Sequence, residues 1–193
     1  MYKLYEKGWI EVICGSMFAG KSEELIRRIN TLGYAKQKVL IVKPKIDNRY
    51  SQDEIASHSG QKVKCICIES SKELEQYLDK NYDAIAIEEV QFFDEDMVEM
   101  VERFANKGCR VIVAGLDMDY RGKPFGIMPS LLARAEFVTK LTAVCTCCGA
   151  PATKSLRLVD GKAASEDGET VLVGAKESYT AVCRPCYNKY TGK

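Results

Sequence analysis

The chain has 193 residues, with 28 lysines and arginines against 27 aspartates and glutamates, for a formal net charge of +1. This length suits one domain with a buried core and a small appendage, and the balanced charge argues against a broad polyanion-binding surface. No apolar run approaches a transmembrane length and the N-terminus lacks the apolar core of a signal peptide, so we expect a cytoplasmic protein that does not contact membranes.

Predicted strands and helices alternate through most of the chain. Apolar and β-branched runs predict strands at 9–14, 38–43, 63–68, 84–87, 109–115 and 137–144. Helical spacing predicts a first helix that Gly33 ends, a short helix opened by a Ser70–Glu73 capping box, a helix over 94–105 and a helix opened by Pro129. This alternation predicts an α/β fold, with a parallel sheet and helices on both of its faces.

A glycine-rich loop stands between the first strand and the first helix. It reads Gly15-Ser16-Met17-Phe18-Ala19-Gly20-Lys21-Ser22 and fits G-x-x-x-x-G-K-[ST] at every fixed position. Its backbone N–H groups and the helix start predict a phosphate site, where Lys21 reaches the outer phosphates and the Ser22 hydroxyl ligates magnesium. An ordinary tight turn with an exposed lysine is the alternative, and the flanking strand and helix favour the nucleotide site.

Two adjacent carboxylates, Glu88 and Glu89, directly follow the apolar run at 84–87. P-loop enzymes place a magnesium-binding carboxylate at this point, so we expect one of the pair near the metal and the other near the acceptor hydroxyl. A solvated charge pair at a strand end is the plainer alternative. The only histidine, His58, lies in the long aperiodic segment 44–60, and we interpret it as a loop hydrogen-bonding residue rather than a catalytic base.

Nine cysteines, odd in number and scattered, make a poor disulfide framework. Four of them form two C-x-x-C pairs, Cys145 with Cys148 and Cys183 with Cys186. Such pairs predict a structural zinc site closed by four thiolates, with Cys147 as an alternative ligand. A redox role is disfavoured because we expect neither pair to open a thioredoxin-like helix.

Several segments together point to one family. They are Gly15 to Ser22, Asp47-Asn48-Arg49-Tyr50, Glu88-Glu89-Val90-Gln91-Phe92-Phe93, Gly115-Leu116-Asp117, Lys123-Pro124-Phe125-Gly126 and the two cysteine pairs. In order and spacing the chain resembles, over nearly its whole length, the zinc-bearing thymidine kinases, which include the human cytosolic enzyme and most bacterial ones.

The resemblance implies a RecA-like P-loop α/β domain over residues 1–144. It implies a small zinc-binding domain over residues 145–193, with a lasso-like loop that covers the nucleoside. It also implies an ATP:thymidine 5′-phosphotransferase that uses magnesium with ATP and makes dTMP for DNA synthesis. The expected assembly is a homotetramer inhibited by dTTP, without a nucleic acid partner.

Roles carried over by position complete these expectations. Glu89 matches the general base, while Glu88 and Ser22 match the magnesium site. The nucleotide-binding residues are Gly15 to Ser22, Glu88, Gln91, Asp47 and Arg49. The residues around thymidine are Met17, Phe92, Leu116, Tyr120, Phe125 and Tyr179, together with the backbone of Val171, Leu172, Val173 and Gly174 in the lasso strand. Many members have Asp where this chain has Glu88, and some have Phe where it has Tyr120.

Two other functions share part of this pattern. A zinc-ribbon, RecA-like ATPase acting on DNA would have the same loop, carboxylates and cysteines, but the balanced charge disfavours it. A nucleotide sensor would bind ATP without turning it over.

Overall fold

The computed structural model describes residues 8–45, 54–57, 60–165, 167–168 and 177–192. Within these ranges the strands are β1 (Trp9–Gly15), β2 (Val39–Pro44), β3 (Glu54–Ala56), β4 (Lys62–Lys64), β5 (Ile66–Ile68), β6 (Ala84–Ile87), β7 (Arg110–Gly115), β8 (Phe137–Leu141), β9 (Ala143–Val144), β10 (Pro151–Ala152), β11 (Lys154–Val159), β12 (Lys162–Ala163) and β13 (Glu177–Val182). The helices are α1 (Lys21–Tyr34), α2 (Asp96–Asn106), α3 (Met128–Arg134) and α4 (Arg184–Thr191), with short 3₁₀ helices at Ser71–Tyr77 and Val90–Phe92.

A parallel sheet forms the centre of the molecule. Its order in the described residues is β5-β2-β6-β7-β1-β8, and every neighbouring pair is parallel. Helix α1 packs on one face, where Leu25 and Ile26 lie in the same core as Ile112 of β7. Helices α2 and α3 cover the other face. The predicted α/β fold with helices on both faces is therefore confirmed, and burial on both sides explains why β6 is entirely apolar.

The register of the central strands determines where the functional segments lie. Cys14 pairs with Gly115 across β1 and β7, and Ile87 pairs with Val113 across β6 and β7. The residues that follow these three strands consequently leave the sheet at one edge. In open parallel sheets this carboxyl edge is where ligands bind.

A second, smaller unit follows β8. It contains the antiparallel pair β9–β10 and an antiparallel sheet with the order β12-β11-β13, against which α4 packs. A separate apolar cluster fills it, including Leu156, Val182 and Tyr187.

Several predicted boundaries are wrong in detail. The run at 63–68 divides, because β4 pairs antiparallel with β3 while β5 joins β2 in the parallel sheet. The run at 137–144 likewise divides into β8 and β9. Gly33 lies inside α1 and does not end it. The helix ends at Tyr34, shortly before Lys36 takes the left-handed conformation (φ 57°). The capping box at Ser70 is present, but it opens a 3₁₀ helix.

A buried carboxylate connects β1, β7 and α1. Glu11 is 6% exposed and accepts hydrogen bonds from Trp9 Nε1 at 2.6 Å and Arg110 Nε at 2.6 Å, and from Arg28 on α1. Burial raises the pKa of Glu11, but the bonds from Arg110 and Trp9 and the two arginine charges outweigh it, so the net pKa is lowered.

We predict that Glu11→Gln destabilises the protein by about 2 kcal/mol at pH 7, the scale of a buried hydrogen bond to a charged group. Because the folded pKa is lowered, this stabilisation is fully present above the ordinary pKa of 4.5 and is lost as the pH falls below it. Denaturant unfolding at pH 7 and pH 3.5 measures the free energy of unfolding. The difference in this free energy between wild type and variant should be smaller at the lower pH. Glu75→Gln, which breaks an exposed pair with Arg103, is the control and should have little effect. A gap unchanged by pH would contradict the prediction.

Candidate active site

The loop after β1 has the curled backbone of a phosphate-binding loop. Gly15 has φ 149° and Gly20 has φ 81°. A Cβ on Gly15 would lie 2.5 Å from the carbonyl oxygen of Leu141, so only glycine fits there. Phe18 also has a positive φ, 63°, and its side chain is half-exposed. Helix α1 begins directly at Lys21, which places its free N–H groups and positive dipole end beside the loop.

Lys21 lies folded over this loop among carboxylates. Its ammonium donates a hydrogen bond to the Ser16 carbonyl oxygen at 2.9 Å. Burial lowers the pKa of the Lys21 amine, and the Glu89, Asp117 and Glu88 carboxylates act against that shift. The ammonium thus lies where a phosphate would be held between the loop and the carboxylates.

Ser22 and Glu88 are in direct contact, although 65 residues separate them in the chain. The Ser22 hydroxyl donates to Glu88 Oε1. Burial raises the pKa of Glu88 to about 7, partly offset by the Ser22 hydrogen bond. The two predicted magnesium ligands are therefore oxygen donors that converge at the carboxyl edge of the sheet, which fits the ligand preference of Mg²⁺.

Glu89 takes a strained backbone conformation, with φ 49° and ψ 40°. Left-handed non-glycine residues are uncommon and concentrate at functional sites. Its partly exposed side chain accepts a hydrogen bond from the Gln91 amide, whose carbonyl oxygen in turn accepts the Leu116 N–H at 3.1 Å. The adjacent carboxylates thus have different partners, Ser22 for Glu88 and Gln91 for Glu89.

Of the residues predicted to surround thymidine, Phe92 and Phe125 pack together. Their rings meet edge to face, with centroids 5.5 Å apart and planes at 89°. Both are partly exposed, as are Leu116 and Met17. Phe92 follows Gln91 in the chain, and the Gln91 amide bonds to Leu116, so these residues border the same edge as Glu89. They provide an apolar wall beside the carboxylate.

Tyr120 is directed toward the C-terminal unit. It is 6% exposed, and its hydroxyl is 3.0 Å from the carbonyl oxygens of both Ser165 and Gly168. The Arg157 guanidinium lies over its ring, 4.9 Å from the centroid. Tyr179, on β13, pairs in register with Arg157 on β11. Tyr120 therefore connects the loop after β7 to the segment before residue 169.

The C-terminal unit also contacts the phosphate loop, through residues that the sequence pattern did not indicate. The Met17 N–H donates to Ser155 Oγ at 3.0 Å, and Ser16 Oγ donates to the Ala152 carbonyl oxygen at 3.4 Å. Ser155 lies on β11, where no motif marks it.

A third carboxylate, Asp117, was missed as a site residue. It is 7% exposed, its Oδ2 lies 2.7 Å from Lys140 Nζ, and its Oδ1 has no hydrogen-bond partner among the described residues. The available signal was the one that identified Glu88, an acidic residue shortly after a buried strand.

The four predicted cysteines cluster. The sulfur atoms of Cys145, Cys148, Cys183 and Cys186 all lie within 4.8 Å of one another, and Cys148 and Cys183 are 3.6 Å apart. A tetrahedral zinc ion with Zn–S bonds of about 2.3 Å separates its thiolates by about 3.8 Å. The cluster can therefore hold a structural metal ion and is compatible with zinc.

The thiols of the cluster have different surroundings, because hydrogen bonds with neighbouring thiols raise the pKa of Cys186 and, against the backbone N–H of Ala150, the pKa of Cys148. Backbone N–H groups, that of Cys183 first and then those of Cys147 and Cys148, lower the pKa of Cys145 to about 6. Cys147 is outside the cluster and contacts Tyr190. The expectation that neither pair opens a helix is wrong, because Cys183 directly precedes α4. It is the four-sulfur cluster that disfavours a redox pair.

Three predicted groups lie outside the described residues: Asp47 and Arg49, the lasso residues Val171, Leu172, Val173 and Gly174, and His58. Within the part of the chain that is described, no helix combines the length and apolar character needed to cross a membrane.

A family model for thymidine kinase matches residues 8–187, which is nearly the whole chain. The chain belongs to the thymidine kinase family. Membership accounts for a phosphate loop and paired carboxylates at one edge of the sheet.

Two solved structures are similar to this thymidine kinase family member at low identity. The ATPase DotB of Legionella pneumophila is 16% identical, with a TM-score of 0.43, over 67% of this chain and 35% of its own. The flagellar accessory protein FlaH of Methanocaldococcus jannaschii is 13% identical, with a TM-score of 0.48, over 75% of each chain. The chain thus spans only 35% of the length of DotB.

We predict that Tyr120→Phe loosens the segment before residue 169 while leaving the parallel sheet intact. The variant keeps the ring under Arg157. It removes the hydroxyl group that donates a hydrogen bond to the carbonyl oxygens of Ser165 and Gly168. A hydrogen bond worth about 1 kcal/mol corresponds to roughly fivefold faster local opening, measurable as amide hydrogen exchange around residues 165–168. Tyr34→Phe, at a residue that is 88% exposed, is the control. Equal amide hydrogen-exchange rates in wild type and Tyr120→Phe would show that the Tyr120 hydroxyl does not hold this segment.

Proposed function

We propose that this protein is a thymidine kinase that transfers the γ-phosphoryl group of ATP to the 5′-hydroxyl of thymidine, giving dTMP for DNA synthesis. The family match over residues 8–187 is the observation that carries the choice of substrate. The chemistry is supported by the meeting of the phosphate loop with two carboxylates at one edge of the sheet.

ATP binds at the loop from Gly15 to Ser22 in this proposal. Backbone N–H groups and the start of α1 hold the β- and γ-phosphates, and the Lys21 ammonium neutralises charge on the outer oxygens. The Lys21 ammonium has three N–H donors, so it can bind a phosphate oxygen while one of them bonds to the Ser16 carbonyl oxygen. Asp47 and Arg49 act near the phosphates by family resemblance alone.

Ser22 and Glu88 would hold the magnesium ion that accompanies ATP. When bound, the ion neutralises phosphate charge as the transferred group moves. The longer Glu88 side chain, where many members have Asp, already reaches the Ser22 hydroxyl. The extra methylene is therefore compatible with the proposed ligand pair.

Glu89 acts as the general base. The 5′ oxygen forms a bond to the γ-phosphorus while the bond from that phosphorus to the β–γ bridging oxygen breaks, and ADP leaves. The proton of the 5′-hydroxyl passes to the Glu89 carboxylate. Phosphoryl transfer depends mainly on alignment and charge neutralisation, so the position of this carboxylate matters as much as its basicity.

The thymine ring lies against the apolar wall in this proposal. Phe92 and Phe125 supply the edge-to-face pair, Leu116 and Met17 border it, and the backbone of Val171, Leu172, Val173 and Gly174 reads the base edge. Tyr120 contributes by holding the segment that leads into the lasso. By family resemblance, Tyr179 is also a proposed thymidine contact.

The remaining features belong to the same proposal. Cys145, Cys148, Cys183 and Cys186 bind one structural zinc ion. Residues 1–144 and 145–193 form the nucleotide-binding and zinc-binding domains of a cytoplasmic homotetramer with dTTP feedback.

The substrate prediction is tested by incubating the protein with ATP, magnesium and a panel of nucleosides. Thymidine should be phosphorylated at the 5′ position much faster than deoxycytidine or deoxyadenosine, because the base is selected by fit and hydrogen-bond pairing. Equal rates would contradict thymidine specificity. ATP loss only with added DNA would indicate a DNA-acting ATPase, and binding without turnover would indicate a sensor.

The two carboxylates should respond differently to loss of charge. Glu89→Gln should lower kcat by about 10²–10⁴-fold, the usual range for a lost general base, with ATP binding nearly unchanged. Glu88→Gln should weaken the magnesium dependence, so that added magnesium restores part of its rate. Titrating magnesium against rate in both variants measures this. Rescue of Glu89→Gln with no rescue of Glu88→Gln would show that the roles are reversed.

Zinc analysis of purified protein should find about one ion per chain, as four thiolates imply. Cys183→Ser should reduce the zinc content and raise the KM for thymidine, because β13 leads from the lasso into this cysteine. Cys147→Ser is the matched control, since Cys147 lies outside the cluster and contacts Tyr190. Full zinc content and unchanged kinetics in Cys183→Ser would exclude the structural role.

A further inference from the structure

We propose that Gln91 is a positioning residue that aims the Glu89 carboxylate and links it to the backbone of Leu116, and that it does not bind the nucleotide. This inference deepens the proposed function and rests on it. Sequence resemblance alone placed Gln91 among the ATP ligands. The contacts of its side chain point elsewhere.

The two ends of the Gln91 amide have separate partners. The NH₂ group donates to Glu89 Oε2, and the carbonyl oxygen accepts the Leu116 N–H at 3.1 Å. This orientation is chemically determined, because a carboxylate only accepts and a backbone N–H only donates. A flipped amide would set oxygen against oxygen and nitrogen against nitrogen.

Gln91 is buried, and two glycines lie directly against it. Gln91 is 3% exposed. A Cβ added to Gly115, at the end of β7, would overlap Gln91 Oε1 and lie 3.0 Å from Met128 Sδ. A Cβ added to Gly126, which has φ 49°, would overlap the backbone carbonyl oxygen of Gln91. Two glycines from different segments therefore border Gln91, one against its side-chain amide and one against its backbone, and the amide lies between Glu89 and Leu116.

The backbone explains why Glu89 needs such support. Glu89 is left-handed and lies at the turn between β6 and the Val90–Phe92 3₁₀ helix. Strained residues persist when surrounding contacts over-determine them. We assign the proton of the 5′-hydroxyl to the other carboxylate oxygen, Oε1, because Oε2 already accepts a hydrogen bond from Gln91.

The link to Leu116 gives the side chain a second consequence. Leu116 is a proposed thymidine contact and begins the loop after β7. A shift of this loop would change the orientation of the Glu89 carboxylate through a single amide. The position of the bound nucleoside and the orientation of the Glu89 carboxylate are thereby coupled. A displacement of about 1 Å at such a position can lower the rate on the order of 10²-fold.

The test is a double-mutant cycle in the full-length protein with thymidine, ATP and magnesium. Gln91→Met keeps the length of the side chain and removes both hydrogen bonds. We expect kcat to fall about 10–100-fold, with the KM for ATP within about twofold of wild type. In a Glu89→Gln background the same change should cost less than about twofold, because a residue that acts only through the base has nothing left to position.

Gln91→Glu separates positioning from packing. It has the same size and can still accept the Leu116 N–H, but it places a second acidic group against Glu89. If Gln91 only fills space, this isosteric change should be milder than Gln91→Met; if it aims the base, kcat should fall at least as far. Gln76→Met is the matched control, because Gln76 is exposed and its amide donates to the Glu73 carbonyl oxygen within the same 3₁₀ helix. Thermal unfolding checks that each variant is folded.

The outcomes that overturn the proposal differ from one another. A large rise in the KM for ATP with unchanged kcat in Gln91→Met would make Gln91 a nucleotide ligand. Equal losses with and without Glu89 would make it a packing residue. No phosphorylation of thymidine by wild type would refute the proposed function and this inference together, whereas an active wild type with an unaffected Gln91→Met would refute the inference alone.

Discussion

Parallel pairing of β1, β6 and β7 is the constraint on which the rest of the site depends. Because the three strands run in one direction and in fixed register, the segments that follow them emerge at the same edge. Those segments are the phosphate loop, the carboxylates Glu88 and Glu89, and the Leu116 loop. The contacts of Ser22 with Glu88 and of Gln91 with Leu116 are local consequences of this arrangement.

The C-terminal unit contacts both the phosphate loop and the loop after β7. Ser155 on β11 accepts the Met17 N–H, and the Tyr120 hydroxyl holds the carbonyls before residue 169. At its far end, the four-cysteine cluster joins the turn after β9 to the start of α4. A metal ion there would fix the two ends of the segment that contains the proposed lasso, so loss of metal should affect nucleoside binding more than the parallel sheet.

Sequence patterns were sufficient for features that depend on local chemistry. The phosphate loop, the apolar β6 and the C-x-x-C pairs each have a residue pattern with a direct physical meaning, and the sheet and the cysteine cluster follow them. Other features depend on which distant segments of the chain meet, and residue spacing does not predict such contacts. Examples are the orientation of Tyr120, the contact from Ser155 and the amide bonds of Gln91. The division of 63–68 between two sheets has the same origin, since both halves are equally strand-like and only their partners differ.

In the proposed mechanism Glu89, oriented by Gln91, faces the 5′-hydroxyl of thymidine at the carboxyl edge of the sheet. A crystal structure with thymidine and a non-hydrolysable ATP analogue would show where the 5′-hydroxyl lies relative to Glu89. We expect the 5′ oxygen within about 2.6–3.2 Å of the Glu89 carboxylate, with the Gln91 amide still bonded to Glu89 and Leu116. Thymidine bound away from Glu89, or a Gln91 amide turned to the phosphates, would contradict it.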